Sequence, residues 1–242
     1  MISVVQLFAT CLVEALRPRT GLAVVRVLER LGLRVELPEG QTCCGQPAFN
    51  SGSWDDARQM ARHTLDVLDR SPAPVVVPSG SCADMIHHHY PELLAGSGAL
   101  EEKARRVAGR TYEFSQLLTD VLGRDVIPGR RTGRITYHPS CHLLRGLGVK
   151  DGPVRLLREV AEAEVVPLAD AEECCGFGGL FAVKMSDISG AMLARKLDAV
   201  ERTGAQAVVG CDVSCLVHIE GGLRRRGSAV ATLHLAEAMD PE

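Results

Sequence analysis

Glu172-Glu173-Cys174-Cys175-Gly176-Phe177-Gly178-Gly179 has a counterpart 131 residues earlier in Cys43-Cys44-Gly45-Gln46-Pro47. Two adjacent cysteines make a poor disulfide, because neighbouring Cα atoms lie ~3.8 Å apart and a disulfide spans about 4.4–6.8 Å. They also sit awkwardly on one tetrahedral zinc ion, for which C-x₂₋₄-C is the usual spacing. A polynuclear iron–sulfur cluster suits them better, since each thiolate can bind a different iron. The glycine behind each pair lets the backbone approach a cluster closely or turn with positive φ.

Working outward, four cysteines of one half keep register with four of the other. The intervals Cys11 to Cys141, Cys43 to Cys174, Cys44 to Cys175 and Cys82 to Cys215 are 130, 131, 131 and 133 residues. Such self-similarity reads as a duplicated unit. The apolar, β-branched run Ile2–Ala9 predicts a strand ending at Cys11, and Pro18 opens a helix to about Leu31 with Leu22, Val25, Leu28 and Leu31 at i+3 spacing. Leu33–Leu37 predicts a second strand. Ser53 and Asp56 resemble a capping box ahead of a helix, Val75–Val77 predicts a buried strand, and a helix carries Cys82 towards Leu94. Leu100 to about Leu122 reads as one charged helix, followed by a turn at Pro128-Gly129-Arg130-Arg131.

The programme then restarts. Arg134–Tyr137 is a predicted strand, Pro153 opens a helix burying Val154, Leu157 and Val160, and Glu164–Leu168 is a strand. Asp187–Arg202 is helical, Ala207–Val209 a strand, and an amphipathic helix follows Cys215. Ala229–Leu233 ends the pattern as a strand. The expected fold class is therefore α/β: two pseudo-symmetric βα lobes with mainly parallel sheets, over residues 1–96 and 132–242, with 97–131 as a helical connector. Cys11, Cys82, Cys141 and Cys215 each fall after a strand and before a helix. That is the ligand-binding edge of an open α/β sheet, where helix N-termini favour thiolates and anionic clusters.

Composition sets limits. The 242 residues are 46% apolar and 24% charged with a formal charge of −3, which gives no support for nucleic-acid or anionic-membrane binding. No run reaches the ~18 apolar residues of a membrane span. Met1–Ala9 lacks a basic region and a small-residue cleavage site, so a cytoplasmic setting is expected. Nine cysteines in that setting point to metal or redox chemistry rather than disulfide staples.

The segments Thr42-Cys43-Cys44-Gly45-Gln46-Pro47-Ala48, Pro78-Ser79-Gly80-Ser81-Cys82, Tyr137-His138-Pro139-Ser140-Cys141-His142-Leu143-Leu144-Arg145 and Glu173-Cys174-Cys175-Gly176-Phe177-Gly178-Gly179 together resemble the duplicated cysteine-rich CCG domain. That domain occurs in heterodisulfide reductase and in the iron–sulfur subunit of glycolate oxidase. Within the family the closer likeness is to the lactate-utilisation A type, the CCG-only subunit of three-part L-lactate dehydrogenase complexes. The resemblance implies an iron–sulfur electron-transfer subunit of an oxidoreductase complex rather than a complete enzyme, working beside other subunits that include a further iron–sulfur protein. It implies [4Fe-4S] clusters held by Cys11, Cys43, Cys44 and Cys82 and by Cys141, Cys174, Cys175 and Cys215. The fuller CCG pattern ends each lobe in C-x-x-C; here Ser79 and Asp212 stand at the earlier position, and Cys211 is a further candidate ligand if the register shifts by one.

Other readings of the same residues stay open. A cluster could itself reduce a disulfide or a quinone, in the manner of heterodisulfide reductase. Cysteine-only sites also hold zinc, which would make a scaffold without a redox role. His138 and His142 flank Cys141; they could hydrogen-bond to sulfur, serve as a ligand or relay a proton, or be polar strand-end histidines satisfied by backbone, and with Ser79 and Asp212 they are candidates to stand behind the ligands. His87-His88-His89 reads as surface, because consecutive helical side chains diverge. Gly176-Phe177-Gly178-Gly179 lacks the G-x-G-x-x-G spacing of a dinucleotide site. Arg145 and Lys184 lie near cysteines in sequence and read as solvated surface. Catalytic residues are not assignable.

Overall fold

The computed structural model describes residues 2–124, 133–158 and 163–240. The expected turn at 128–131 and the burial of Val160 lie outside the described residues. Strands β1 (Val4–Leu7), β2 (Arg34–Glu36), β3 (Val75–Val77) and β4 (Thr111–Glu113) form an all-parallel sheet in the order β2-β1-β3-β4. Strands β5 (Gly133–His138), β6 (Ala163–Val166), β7 (Ala207–Gly210) and β8 (Ala231–His234) form a second, also all parallel, in the order β6-β5-β7-β8. The same order and direction occur twice, so the repeat read from cysteine spacing is a repeat of topology.

Parallel neighbours need a crossover, and helices supply it. The helix Pro18–Arg30 starts with proline at its first position and buries Ala23, Val24, Val27 and Leu28. It ends where Gly32 takes φ +81° while the Gly32 and Leu33 amides donate to the Glu29 and Leu28 carbonyls, a Schellman stop. β3 is three buried valines, the residue type that suits a strand covered on both faces.

The alternation of strand side chains sorts the interior into three cores. Val5 and Leu7 of β1, Val76 of β3, Ile135 and Tyr137 of β5, and Ala207 and Val209 of β7 share one central core. Val75 and Val77 face an outer core under the helices Trp54–Leu68 and Ala99–Ala108. Val208 faces the matching outer core under Ser186–Arg202 and Val213–Arg225. The layers run helix, sheet, helix, sheet, helix.

The middle layer is shared between lobes. After β4 the chain enters the helix Phe114–Gln116 and a π-helical turn Leu117–Val121, packed on Gly152–Arg158 of the second lobe. After β8, Leu235–Met239 packs on Pro18–Arg30 of the first. Thr20 donates to Glu237 at 2.8 Å, and Arg17 pairs with Glu220 at 2.7 Å across the same junction. Each lobe ends on a helix that covers its twin.

Two local expectations differ. Leu100–Leu122 is not one helix: Ala99–Ala108 stops at Gly109, and Thr111–Glu113 pairs with β3 before the chain turns helical again. Tertiary pairing of a Thr-Tyr pair overrides the helical period on either side. Ser53 precedes the helix Trp54–Leu68 but its side chain makes no cap bond.

Candidate metal centres

Both cysteine groups emerge at the carboxyl ends of the strands, on the outer-core side of each sheet. In lobe one Thr10 holds φ 32°, a sparsely populated region for a β-branched residue, and its hydroxyl caps the helix that begins at Cys11. Cys82 lies in the first turn of Gly80–Asp84, just after β3. The Cys43-Cys44 loop closes over this edge, and Gly45 behind it has φ +86° in a tight place: a Cβ would stand 3.1 Å from Met60 Cβ. Gly176 repeats this at φ +91°, where a Cβ would stand 2.7 Å from the Ser189 carbonyl oxygen and 3.0 Å from Met192 Cβ. The glycine of each CCG unit is thus fixed by backbone sign and by helix contact together.

The eight in-register thiols fall into two chains of contacts. In lobe one Cys11 meets Cys43, Cys43 meets Cys44, and Cys44 Sγ lies 3.3 Å from Cys82 Sγ. In lobe two Cys141 meets Cys174, Cys174 meets Cys175, and Cys175 meets Cys215. All nine cysteines are free thiols. In each lobe the contacts among the thiols lower the first cysteine of the pair. The hydrogen bonds from Cys11 and Cys44 pull Cys43 down to about 3, and those from Cys141 and Cys175 pull Cys174 down to about 2. The neighbours move the other way: contact with Cys43 and burial push Cys11 and Cys44 up, and contact with Cys174 and burial do the same to Cys141 and Cys175. The contact with Cys175 lowers Cys215, yet burial and neighbouring charge leave it raised.

The lobe-one thiols line a cavity of ≈ 110 Å³ whose far wall comes from Phe177, Gly179 and Ser214 of lobe two. Cys174 opens on a recess with Arg145, Glu173 and Arg195. Tyr90 is fully buried and donates to the Cys44 carbonyl at 2.8 Å, pinning the first CCG loop from beneath.

The other predicted residues divide. His138 ends β5, is 1% exposed, and both of its ring nitrogens lack a hydrogen-bond partner. Burial, then Lys196, lowers it to about 4, so the ring is neutral. One ring nitrogen lies within 4.8 Å of the Cys175 and Cys215 sulfurs. His142 is half-buried between the lobes, 3.6 Å from Cys141 Sγ and 3.2 Å from Gln46 Nε2. Ser79 and Asp212 meet in an antiparallel bridge between lobes. Asp212 Oδ2 accepts from the Ser81 amide at 2.7 Å and its Oδ1 from the Ser214 amide at 3.0 Å. One buried carboxylate therefore caps two pseudo-equivalent helices, one of them in the other lobe. Cys211 stands apart from the thiol group: the two-residue period of β7 turns it to the central core, 3.7 Å from the Tyr137 hydroxyl. His87, His88 and His89 diverge to Ala108, Asp84 and Glu92. Arg145 is exposed and donates to the Glu172 carbonyl at 3.1 Å, and Lys184 is exposed.

Lys196 was not legible as a site residue. It lies among Leu193, Leu197 and Val200 on the buried face of its helix, donating to the Asp170 and Ala171 carbonyls at 2.9 and 3.2 Å. A lysine on an apolar stripe was the available signal.

The cysteine-rich CCG domain model matches twice, over residues 5–87 and 135–220. The chain belongs to the CCG cysteine-rich domain family. It is 44% identical over 236 residues to a lactate utilization protein A of Anoxybacillus flavithermus (strain DSM 21510 / WK1), with 98% of each chain covered. The same identity and coverage hold for a lactate utilization protein A of Geobacillus sp. (strain WCH70). A lactate utilization protein A 2 of Bacillus cereus (strain 03BB102) is 42% identical, with 97% of each chain covered. Among solved structures, a hypothetical protein from Helicobacter pylori shares the fold at TM-score 0.66 and 11% identity; the match covers 99% of this chain and 49% of that one. Among the described residues, no helix of this CCG protein is long and apolar enough to cross a membrane.

Proposed function

We propose that the protein is an iron–sulfur electron-transfer subunit of a lactate-oxidising complex. The observation that carries this reading is the twofold gathering of four thiols at the carboxyl edge of a parallel sheet, in a chain whose relatives are named for lactate utilization. The donor set fits a cluster in each lobe: four cysteines satisfy the Cys₄ rule, none is bridged to another, and adjacent pairs suit a polynuclear group. Cys11, Cys43, Cys44 and Cys82 would hold one group, and Cys141, Cys174, Cys175 and Cys215 the other. When bound, such a group supplies one-electron redox chemistry.

The chain's own residues supply the surroundings. Cys44, Cys82, Cys175 and Cys215 are buried, which keeps water from the inner side of each site. Tyr90 and the two CCG glycines fix the loops that carry the paired cysteines. Oxidation of a hydroxy acid removes two electrons and needs a hydride or carbanion acceptor, a step we assign to a partner. The cytoplasm is the proposed setting, and further iron–sulfur and flavin subunits are the proposed partners.

The test is electron paramagnetic resonance of anaerobically purified, dithionite-reduced protein. The expected result is a cluster signal of which Cys44→Ser removes one component and Cys175→Ser another. Colourless protein holding zinc, with no acid-labile sulfide and no signal, would replace the redox reading with the zinc scaffold.

A further inference from the structure

The two lobes are not chemically equivalent behind their thiols. Phe8 and His138 each stand three residues before the first cysteine of their lobe, and both are buried at the end of the corresponding strand. Phe8 packs in the outer core with Cys44 and Cys82. His138 occupies the matching place beside Cys175 and Cys215. Packing does not demand an imidazole there, because a phenyl ring fills the twin position. A buried ring with two unpartnered nitrogens is instead costly, and such a group calls for an explanation.

Resting on the reading of lobe two as a metal centre, we infer that His138 is a nitrogen ligand of the metal held there, so that lobe one binds an all-thiolate centre and lobe two a mixed one. The His138 nitrogen and the two sulfurs lie within 4.8 Å of one another. Tetrahedral donors at ~2.3 Å for sulfur and ~2.0–2.1 Å for nitrogen stand roughly 3.5–3.8 Å apart on one ion, so movements of about 1 Å bring the imidazole and a neighbouring thiolate onto one metal. In lobe two the imidazole takes the place of one of the four thiolates, and that replacement raises the potential of an iron–sulfur centre, because a neutral ligand disfavours the more negative reduced state less than an anion does.

A second difference acts in the same direction. Met60 and Met192 sit on the two CCG glycines, which fixes the register of the helices above them. In that register Thr64 of lobe one corresponds to Lys196 of lobe two, a lysine buried behind the second site. Its charge favours the reduced, more anionic form. Lobe two is therefore the more oxidising of the pair, and an electron entering at lobe one moves downhill to it.

The experiment begins with wild-type protein, anaerobically prepared and reduced, grown with ¹⁴N- or ¹⁵N-labelled histidine. Pulsed paramagnetic resonance should find an imidazole nitrogen coupling that changes with the isotope, persists in Cys44→Ser and disappears in Cys175→Ser. In His138→Phe, which installs the residue of the twin site, the coupling should vanish and the higher of two redox steps should move down while the lower stays. A cluster signal without nitrogen coupling, or two steps unmoved by His138→Phe, would overturn the assignment. Should the protein hold zinc and no sulfide, the parent redox reading fails while this one is still decided. X-ray absorption at the zinc edge would then show a nitrogen donor that His138→Phe removes, and sulfur-only coordination would overturn it.

Discussion

A methyl group on Gly176 would press on the Ser189 carbonyl oxygen at 2.7 Å, whereas on Gly45 the nearest atom is a side-chain carbon at 3.1 Å. Gly176→Ala should therefore destabilise the protein more than Gly45→Ala, each by about 1–3 kcal/mol from the positive φ alone. Denaturant midpoints of the two variants check the order. Glu113 provides a pH test away from the eight in-register thiols. Its carboxyl is fully buried with Oε1 unpartnered, and burial raises it to about 8 against hydrogen bonds from Ser115 and Gln116. A raised folded value means the native state holds a proton that the unfolded chain has already lost. Stability from this group is complete below about 4.5 and is lost as pH rises to about 8. Urea midpoints across that window should fall in wild type, and the fall should be smaller in Glu113→Gln. Identical slopes would contradict the buried, protonated carboxyl. At this scale the sequence was readable where a residue type is chemically narrow, as for the paired cysteines and their glycine. Asp212 was readable only as a candidate to stand behind the ligands; its actual partners lie 131 residues away and in the next turn.

Elements built from β-branched runs were plain in the sequence, β3 above all, because three valines between Pro74 and Pro78 allow little else. β4 was hidden, since Thr111–Glu113 is three residues long and sits between helical periods; only the open edge of β3 makes it a strand. The helices Gly80–Asp84 and Val213–Arg225 start beside one another with Asp212 capping both. Asp212→Ala leaves one buried and one half-buried amide without an acceptor and should cost about 2 kcal/mol, at about 1 kcal/mol per lost cap. Asp212→Asn, which keeps one carbonyl oxygen, should recover part of it. Thermal melting of the two variants separates these outcomes, and equal losses would mean that only one of the two caps matters.

Across the whole molecule the repeat was legible from intervals of 130 to 133 residues, but the shared middle layer was not, because helix exchange leaves no local signature. The central core draws on both sheets, with Leu28 of lobe one and Leu235 of lobe two fully buried in it. The lobes should unfold as one cooperative unit, and Leu235→Ala should lower the stability of both by about 2–5 kcal/mol. Two resolved calorimetric transitions would show the lobes to be independent. The arrangement also brings Phe177 and Gly179 of lobe two over the lobe-one thiols, so the lobe-one site is completed only when the halves are together. The most direct measurement is iron and acid-labile sulfide per chain in anaerobically purified wild type, Cys44→Ser and Cys175→Ser. Two thiol-held clusters predict iron and sulfide in equal amounts in wild type, with roughly half lost in each variant. Protein without sulfide, or variants that keep the full wild-type content, would contradict it.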